Sequence, residues 1–259
     1  MPRFSANLGF LWADLPLLDR IDAAARAGFR AVELHFPYAT PPAAVAERCA
    51  ALGVELLGIN TNVNPEKGES GLAAVPGRGA EARALIDQAF DWAAAAGGAA
   101  VHVMAGKVAP EARAAGRLAM VDSLRHAADR AEVTGLVALL EPLNPRDMPG
   151  YFYSRTGEAV EIIDAVGSPR VKLMFDCYHV GCVEGDVIMR MRNLYDHIGH
   201  LQFAAVPSRA EPDEGELAYA AIFAEIDRLG WPGWVGAEYR PRTTTDAGLV
   251  WTDALGVRL

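Results

Sequence analysis

The stretch Leu136–Asn144, reading LVALLEPLN, constrains the chain more than any other. Five apolar residues in a row, stopped by Pro142, read as a strand covered on both faces, and strands of that kind belong to parallel sheets. Such a strand should not end in an acid. Glu141 does so one residue before the proline that stops the pairing, where its charge avoids the core only by facing a cleft. The same ending recurs in VKLMFDCYH at Asp176, in HIGHLQF at Gln202 and in GWVGAEY at Glu238. Four apolar strands each deliver one oxygen-bearing side chain.

Apolar runs alternate with amphipathic stretches along the whole chain, the pattern of repeated βα units. The strands are expected at Phe4–Leu8, Ala31–Leu34, Glu55–Asn60, Ala100–Met104, Leu136–Glu141, Val171–Asp176, Gly199–Phe203 and Trp234–Glu238. The helices between them are expected at Leu15–Ala27, Pro42–Leu52, Ala80–Ala96, Ala112–Val133, Thr156–Val166, Asp186–Tyr195, Ala218–Leu229 and Thr244–Leu255. Gly28, Gly53, Gly97, Gly135, Gly167 and Gly230 each follow an amphipathic run, where a left-handed residue closes a helix. Eight βα units in 259 residues fit a single (β/α)8 TIM barrel spanning residues 1–259, a fold of roughly 250 residues. The long loops, Thr61–Gly79, Pro142–Arg155 and Ala204–Leu217, all follow strands, so in a barrel they share the C-terminal face with the strand-end acids.

Composition narrows the function. No apolar run approaches the ~18 residues of a membrane span, and the N-terminus lacks the apolar segment of a secretory signal, so a cytoplasmic protein is expected. The formal net charge is −9 with Lys and Arg scattered, which favours a small ligand over nucleic acid. Three cysteines without a CxxC pair, Cys49, Cys177 and Cys182, exclude a disulfide scaffold.

Glu141, Asp176, Gln202 and Glu238 end neighbouring strands, so they can converge, and three unpaired carboxylates at one point would repel. A divalent cation removes the conflict, and an all-oxygen set suits Mg²⁺ or Mn²⁺. The alternative is that each acid pairs separately with an Arg or Lys. His179, in the loop beyond Asp176, is expected to contact substrate; His102 in strand four lines the pocket or the core, and His200 is structural or a ligand. An anionic substrate needs a cation at the site, for which Arg209 and Lys107 are the candidates.

RFSANL, GFRAVELHFPY, VPGR at 75–78, VMAGK, LLEPLNPRDMPGY, FDCYH, EGD at 184–186, GHLQ, GEL at 215–217 and WVGAEYRPRTTTDAGLVW together resemble the hydroxypyruvate isomerase family, within the xylose-isomerase-like barrels. The resemblance covers nearly the whole chain. It implies metal ligation by Glu141, Asp176, Gln202 and Glu238, the two glutamates doubling as the acid–base pair, with His179 and Arg209 on the substrate. The chain departs from the family pattern at INTNVNPEKGES after strand three and at His102 in HVMAGK, both over the pocket.

The expected activity is interconversion of hydroxypyruvate and tartronate semialdehyde through an enediolate. A 2-oxo-tetronate isomerase or ketose epimerase would use the same site, and a metal-dependent endonuclease or phosphodiesterase is the rival from another class. A non-enzymic sugar-acid binding protein is a third. The expected partner is a small hydroxy-oxo acid, with no nucleic acid and no membrane; a homo-oligomer is compatible with the sequence.

Overall fold

The computed structural model describes all 259 residues. Eight strands, β1 (Arg3–Asn7), β2 (Ala31–Glu33), β3 (Glu55–Asn60), β4 (Ala100–His102), β5 (Val137–Leu140), β6 (Val171–Asp176), β7 (Ile198–Phe203) and β8 (Trp234–Ala237), pair in parallel and in chain order, and β8 pairs with β1 to close a barrel. Around it run α1 (Leu17–Ala27), α2 (Pro42–Leu52), α3 (Gly79–Ala95), α4 (Arg113–Thr134), α5 (Thr156–Val166), α6 (Cys177–Val183), α7 (Val187–Asn193), α8 (Tyr219–Arg228), α9 (Thr245–Gly248) and α10 (Trp251–Leu255). The expected (β/α)8 barrel is the observed fold. No helix is long and apolar enough to cross a membrane.

The helix-closing glycines behave as expected: Gly28, Gly53, Gly97, Gly135, Gly167 and Gly230 all have positive φ. Two elements differ from expectation. Residues 177–183 form a helix, α6, where a loop was expected, so His179 is helical. Its first four residues are all buried, and without a solvent-facing side there is no amphipathic period to detect. Thr244–Leu255, expected as one helix, divides into α9 and α10. At Gly248, where α9 ends, a Cβ would lie 2.1 Å from Glu211 Oε1, so the chain there packs directly on a buried acid.

Parallel pairing sets the strand ends level. Asp176 is the register partner of Gln202, and Gln202 that of Gly236, two residues before Glu238. Outside β1, β7 and β8, the side chains of Phe4, Phe203, Phe223 and Trp251 pack edge to face, with ring centres 4.9–5.8 Å apart for Phe4 against Phe203, Phe223 and Trp251. This layer clamps the closing strands against the last helices.

Candidate active site

The carboxyl ends of β5 to β8 bring their polar side chains to one place, as the strand-end pattern implies. Ligand atoms of Glu141, Asp176, His179 and Glu238 all lie within 4.8 Å of one another, and all four residues are buried. Asp176 divides its two oxygens between jobs. Oδ1 accepts from the Tyr178 backbone N–H at 2.9 Å and caps α6, while Oδ2 faces the cluster without a partner. Glu141 Oε1 and Gln202 Oε1 are likewise buried and unpartnered. Glu238 is held on both oxygens: Oε1 accepts from Asn7 Nδ2 at 3.1 Å and lies 3.0 Å from His35 Nε2, and Oε2 accepts from Arg209 Nη2 at 3.0 Å.

The electrostatics follow from this crowding. Burial, with the neighbouring charges of Glu238 and Asp176, raises the Glu141 carboxyl well above its ordinary value. Burial and Glu238 raise Asp176 to about 7. Burial acts the same way on Glu238, but Arg209 and His35 outweigh it and hold that carboxyl down to about 2. Three carboxylates thus crowd one guanidinium, and for Glu141 and Asp176 the crowding favours the protonated form over charges side by side. The unpartnered oxygens of Glu141, Asp176 and Gln202 are a donor set that fits a hard divalent cation, which would supply the missing charge.

His179 lies among these donors, 3.6 Å from both Glu141 Oε1 and Asp176 Oδ2 through Nε2. Its other nitrogen decides its role. Nδ1 accepts the Asn144 backbone N–H at 3.0 Å, so in the neutral ring the proton sits on Nε2, which presents a donor to the cluster. The ring is neutral, because burial and the Arg209 charge lower its pKa to about 3. The Nε2–H has no partner, which suits the expected contact with a substrate oxygen.

Arg209 takes a left-handed backbone, φ 56°, and turns its guanidinium inward between the rings of Phe10 and Tyr178, 4.9 and 5.0 Å from their centres. It bonds Asp147 Oδ2 at 2.8 Å as well as Glu238. Lys107, expected beside it, remains exposed and outside the buried cluster, its backbone bridging to Tyr151. His102 sits deeper, with Nδ1 3.5 Å from Glu141 Oε2, and burial lowers its pKa to about 4. It is a neutral neighbour of Glu141. His200 lies 3.1 Å from Glu33 Oε1, inside the barrel. Glu33, raised by burial but outweighed by His200, Ser5 and Gln202, titrates below its ordinary range. The cysteines carry no reactive thiolate: burial raises Cys49, Cys177 and Cys182 alike.

Asn7, Glu33, His35 and Asp147 were not anticipated. The first three lie at or just beyond the ends of β1 and β2, so extending the strand-end rule to the first two strands finds them. Asp147 sits in the long loop after β5, where only the fold reveals that it meets Arg209.

Carboxylate, carboxamide and imidazole groups gathered at the carboxyl ends of a closed parallel barrel define a barrel enzyme with a cation-competent site. Residues 21–255 match the xylose isomerase-like TIM barrel family, and the chain belongs to it. A 2-oxo-tetronate isomerase of Cupriavidus necator is 46% identical over 253 residues, 97% of each chain. The hydroxypyruvate isomerase of Escherichia coli is 37% identical, covering 98% of this chain and 99% of its own. A crystal structure described as an AP endonuclease, family 2, from Brucella melitensis superposes with a TM-score of 0.95 at 37% identity, covering 98% of each chain. The curated relatives carry isomerase names across the full barrel, and the chain is an isomerase.

Proposed function

We propose that the chain is a divalent-cation-dependent isomerase of short hydroxy-oxo acids, which moves a carbonyl to the neighbouring hydroxyl-bearing carbon. The observation that carries the reading is the set of buried, unpartnered oxygens on Glu141 and Asp176 beside Glu238, with the unpartnered oxygen of Gln202 on the strand position paired to Asp176. Glu141, Asp176, Gln202 and Glu238 would hold Mg²⁺ or Mn²⁺. Such a cation, when bound, would supply positive charge to the carbonyl and hydroxyl oxygens of the substrate, which would acidify the C–H on the hydroxyl-bearing carbon next to the carbonyl. One of the two glutamates removes that proton, giving an enediolate, and the same or the other returns a proton to the adjacent carbon, while the hydroxyl proton passes from the old hydroxyl oxygen to the old carbonyl oxygen. His179 Nε2–H donates to a substrate oxygen as negative charge develops there. Arg209 offers the substrate carboxylate a guanidinium already oriented by Asp147 and two aromatic rings. Burial of the donors excludes water that would quench the enediolate.

A four-carbon 2-oxo-tetronate is the first substrate to test, because the 46%-identical relative bears that name; hydroxypyruvate, supported by the Escherichia coli relative, is the second. The test is turnover of both acids and of neutral ketohexoses by purified protein after chelation and after adding Mn²⁺. Acid turnover that chelation abolishes and Mn²⁺ restores is expected; full activity without metal, or turnover of neutral ketoses alone, ends the reading. The name of the Brucella structure favours a nuclease as a second reading. A net charge of −9 and a site with a single compact donor set weigh against it, and cleavage of abasic-site DNA with Mn²⁺ present would revive it.

A further inference from the structure

We propose that Glu33 is a positioning residue, whose buried carboxylate determines which end of the Gln202 amide faces the acid cluster. The proposal rests on the reading of Gln202 as a cation donor given above. A glutamine is a two-ended ligand: its oxygen can hold a hard cation, its NH₂ cannot, and the two ends have nearly the same shape. Something in the fold must therefore select the end. Gln202 Nε2 donates to Glu33 Oε2 at 2.8 Å. An ionised carboxylate only accepts, so the amide oxygen cannot take the place of Nε2 without an oxygen–oxygen repulsion. With the NH₂ turned toward β2, Oε1 points away from it, and that oxygen is buried with no partner in the protein.

Glu33 is itself held in place. Ser5 Oγ donates to its Oε1 at 2.6 Å, and His200 Nε2 lies 3.1 Å from the same oxygen. The space for the contact is left by a glycine. Gly236 is the register partner of Ser5 on one side and Gln202 on the other. A Cβ on it would lie 2.2 and 2.8 Å from the two Glu33 oxygens and 2.9 Å from Gln202 Cγ. Any side chain at 236 would displace the carboxylate, the glutamine or both. Four strands, β1, β2, β7 and β8, thus cooperate to orient one amide.

Mn²⁺ titration calorimetry on the full chain tests this, with circular dichroism and thermal unfolding to verify the fold. Glu33→Leu is expected to weaken Mn²⁺ binding by about 10–100-fold, the usual effect of losing a ligand's supporting partner. The decisive comparison is in a Gln202→Glu background, because a carboxylate presents oxygen from either end and needs no orienting. There, removing Glu33 is expected to cost no affinity, and the double variant to bind Mn²⁺ more tightly than Glu33→Leu alone. Should Glu33→Leu not fold, Glu33→Asp, which withdraws the carboxylate by one methylene, replaces it in both backgrounds. Unchanged affinity on altering Glu33, or an equal loss in both backgrounds, overturns the positioning role. Failure of the unaltered protein to bind Mn²⁺ overturns instead the donor set on which the role depends.

Discussion

Glu141 and Glu238 have the same side chain and opposite surroundings. Glu141 meets other acids and an uncharged His102, whereas Glu238 accepts from Asn7 and Arg209 and lies against His35. Replacing either by glutamine keeps an oxygen but removes proton transfer, so each change is expected to lower kcat by the order of 10² to 10⁴. Retained kcat with metal bound, measured calorimetrically, would take that residue out of the acid–base pair. Arg209 faces a different test. Arg209→Ala should raise KM for the acid substrates more than for any neutral sugar, since a lost guanidinium matters most where a carboxylate is bound. Equal changes for both substrate types would give Arg209 a purely structural task with Asp147 and Glu238.

At the level of elements, the barrel closes through β1 and β8, and an aromatic layer packs over that seam. Trp251 on α10 is fully buried against Phe4, Phe203 and Phe223, and its indole N–H reaches Tyr239 Oη at 3.1 Å. Trp251→Ala is expected to cost about 3–5 kcal/mol through lost burial and the cavity left behind. Urea unfolding measures it; a loss under about 1 kcal/mol would mean that the seam is held by strand pairing alone. Most elements were legible from pattern: α2, α5, β3 and β6 begin and end where expected. Helix α6 was not, because its leading residues, Cys177 to Val180, are buried all round and present no polar side. Its start is set by Asp176, a residue whose other oxygen belongs to the site.

Across the whole molecule, the acid cluster links metal, pH and stability. In metal-free protein the Asp176 carboxyl is raised from 3.8 to about 7, mainly by burial and Glu238. Between those values the folded chain binds a proton that the unfolded chain has released, so this group's contribution to stability falls as pH rises through the window. Glu141, raised in the same direction, adds to the trend. In the presence of chelator, Asp176→Asn should therefore match the unaltered protein only below about pH 3.8, where the carboxyl is protonated in both states, and melt at a higher temperature than it at pH 8. With saturating Mn²⁺ the order should reverse, because a cation bound only by the folded state stabilises it and the variant binds less. A variant that melts lower at every pH without metal would show that Asp176 is not strained by charge.

The repeat of apolar strand and amphipathic helix was enough to identify the barrel, because strand burial and helix amphipathicity are local patterns with fixed periods. Strand-terminal polarity was enough to find Glu141, Asp176, Gln202 and Glu238, since a charge ending an apolar strand needs a reason that lies near it in the chain. The partners of those groups depended on tertiary structure. Glu33 stands 169 residues from Gln202, Asn7 stands 231 from Glu238, and Asp147 stands 62 from Arg209. Closure of the barrel, which sets β1 beside β8, brings the first two pairs into contact, and the third meets between the loops that follow β5 and β7. The tautomer of His179 depended on tertiary structure too, because a backbone N–H of Asn144, 35 residues away, takes the lone pair of its Nδ1.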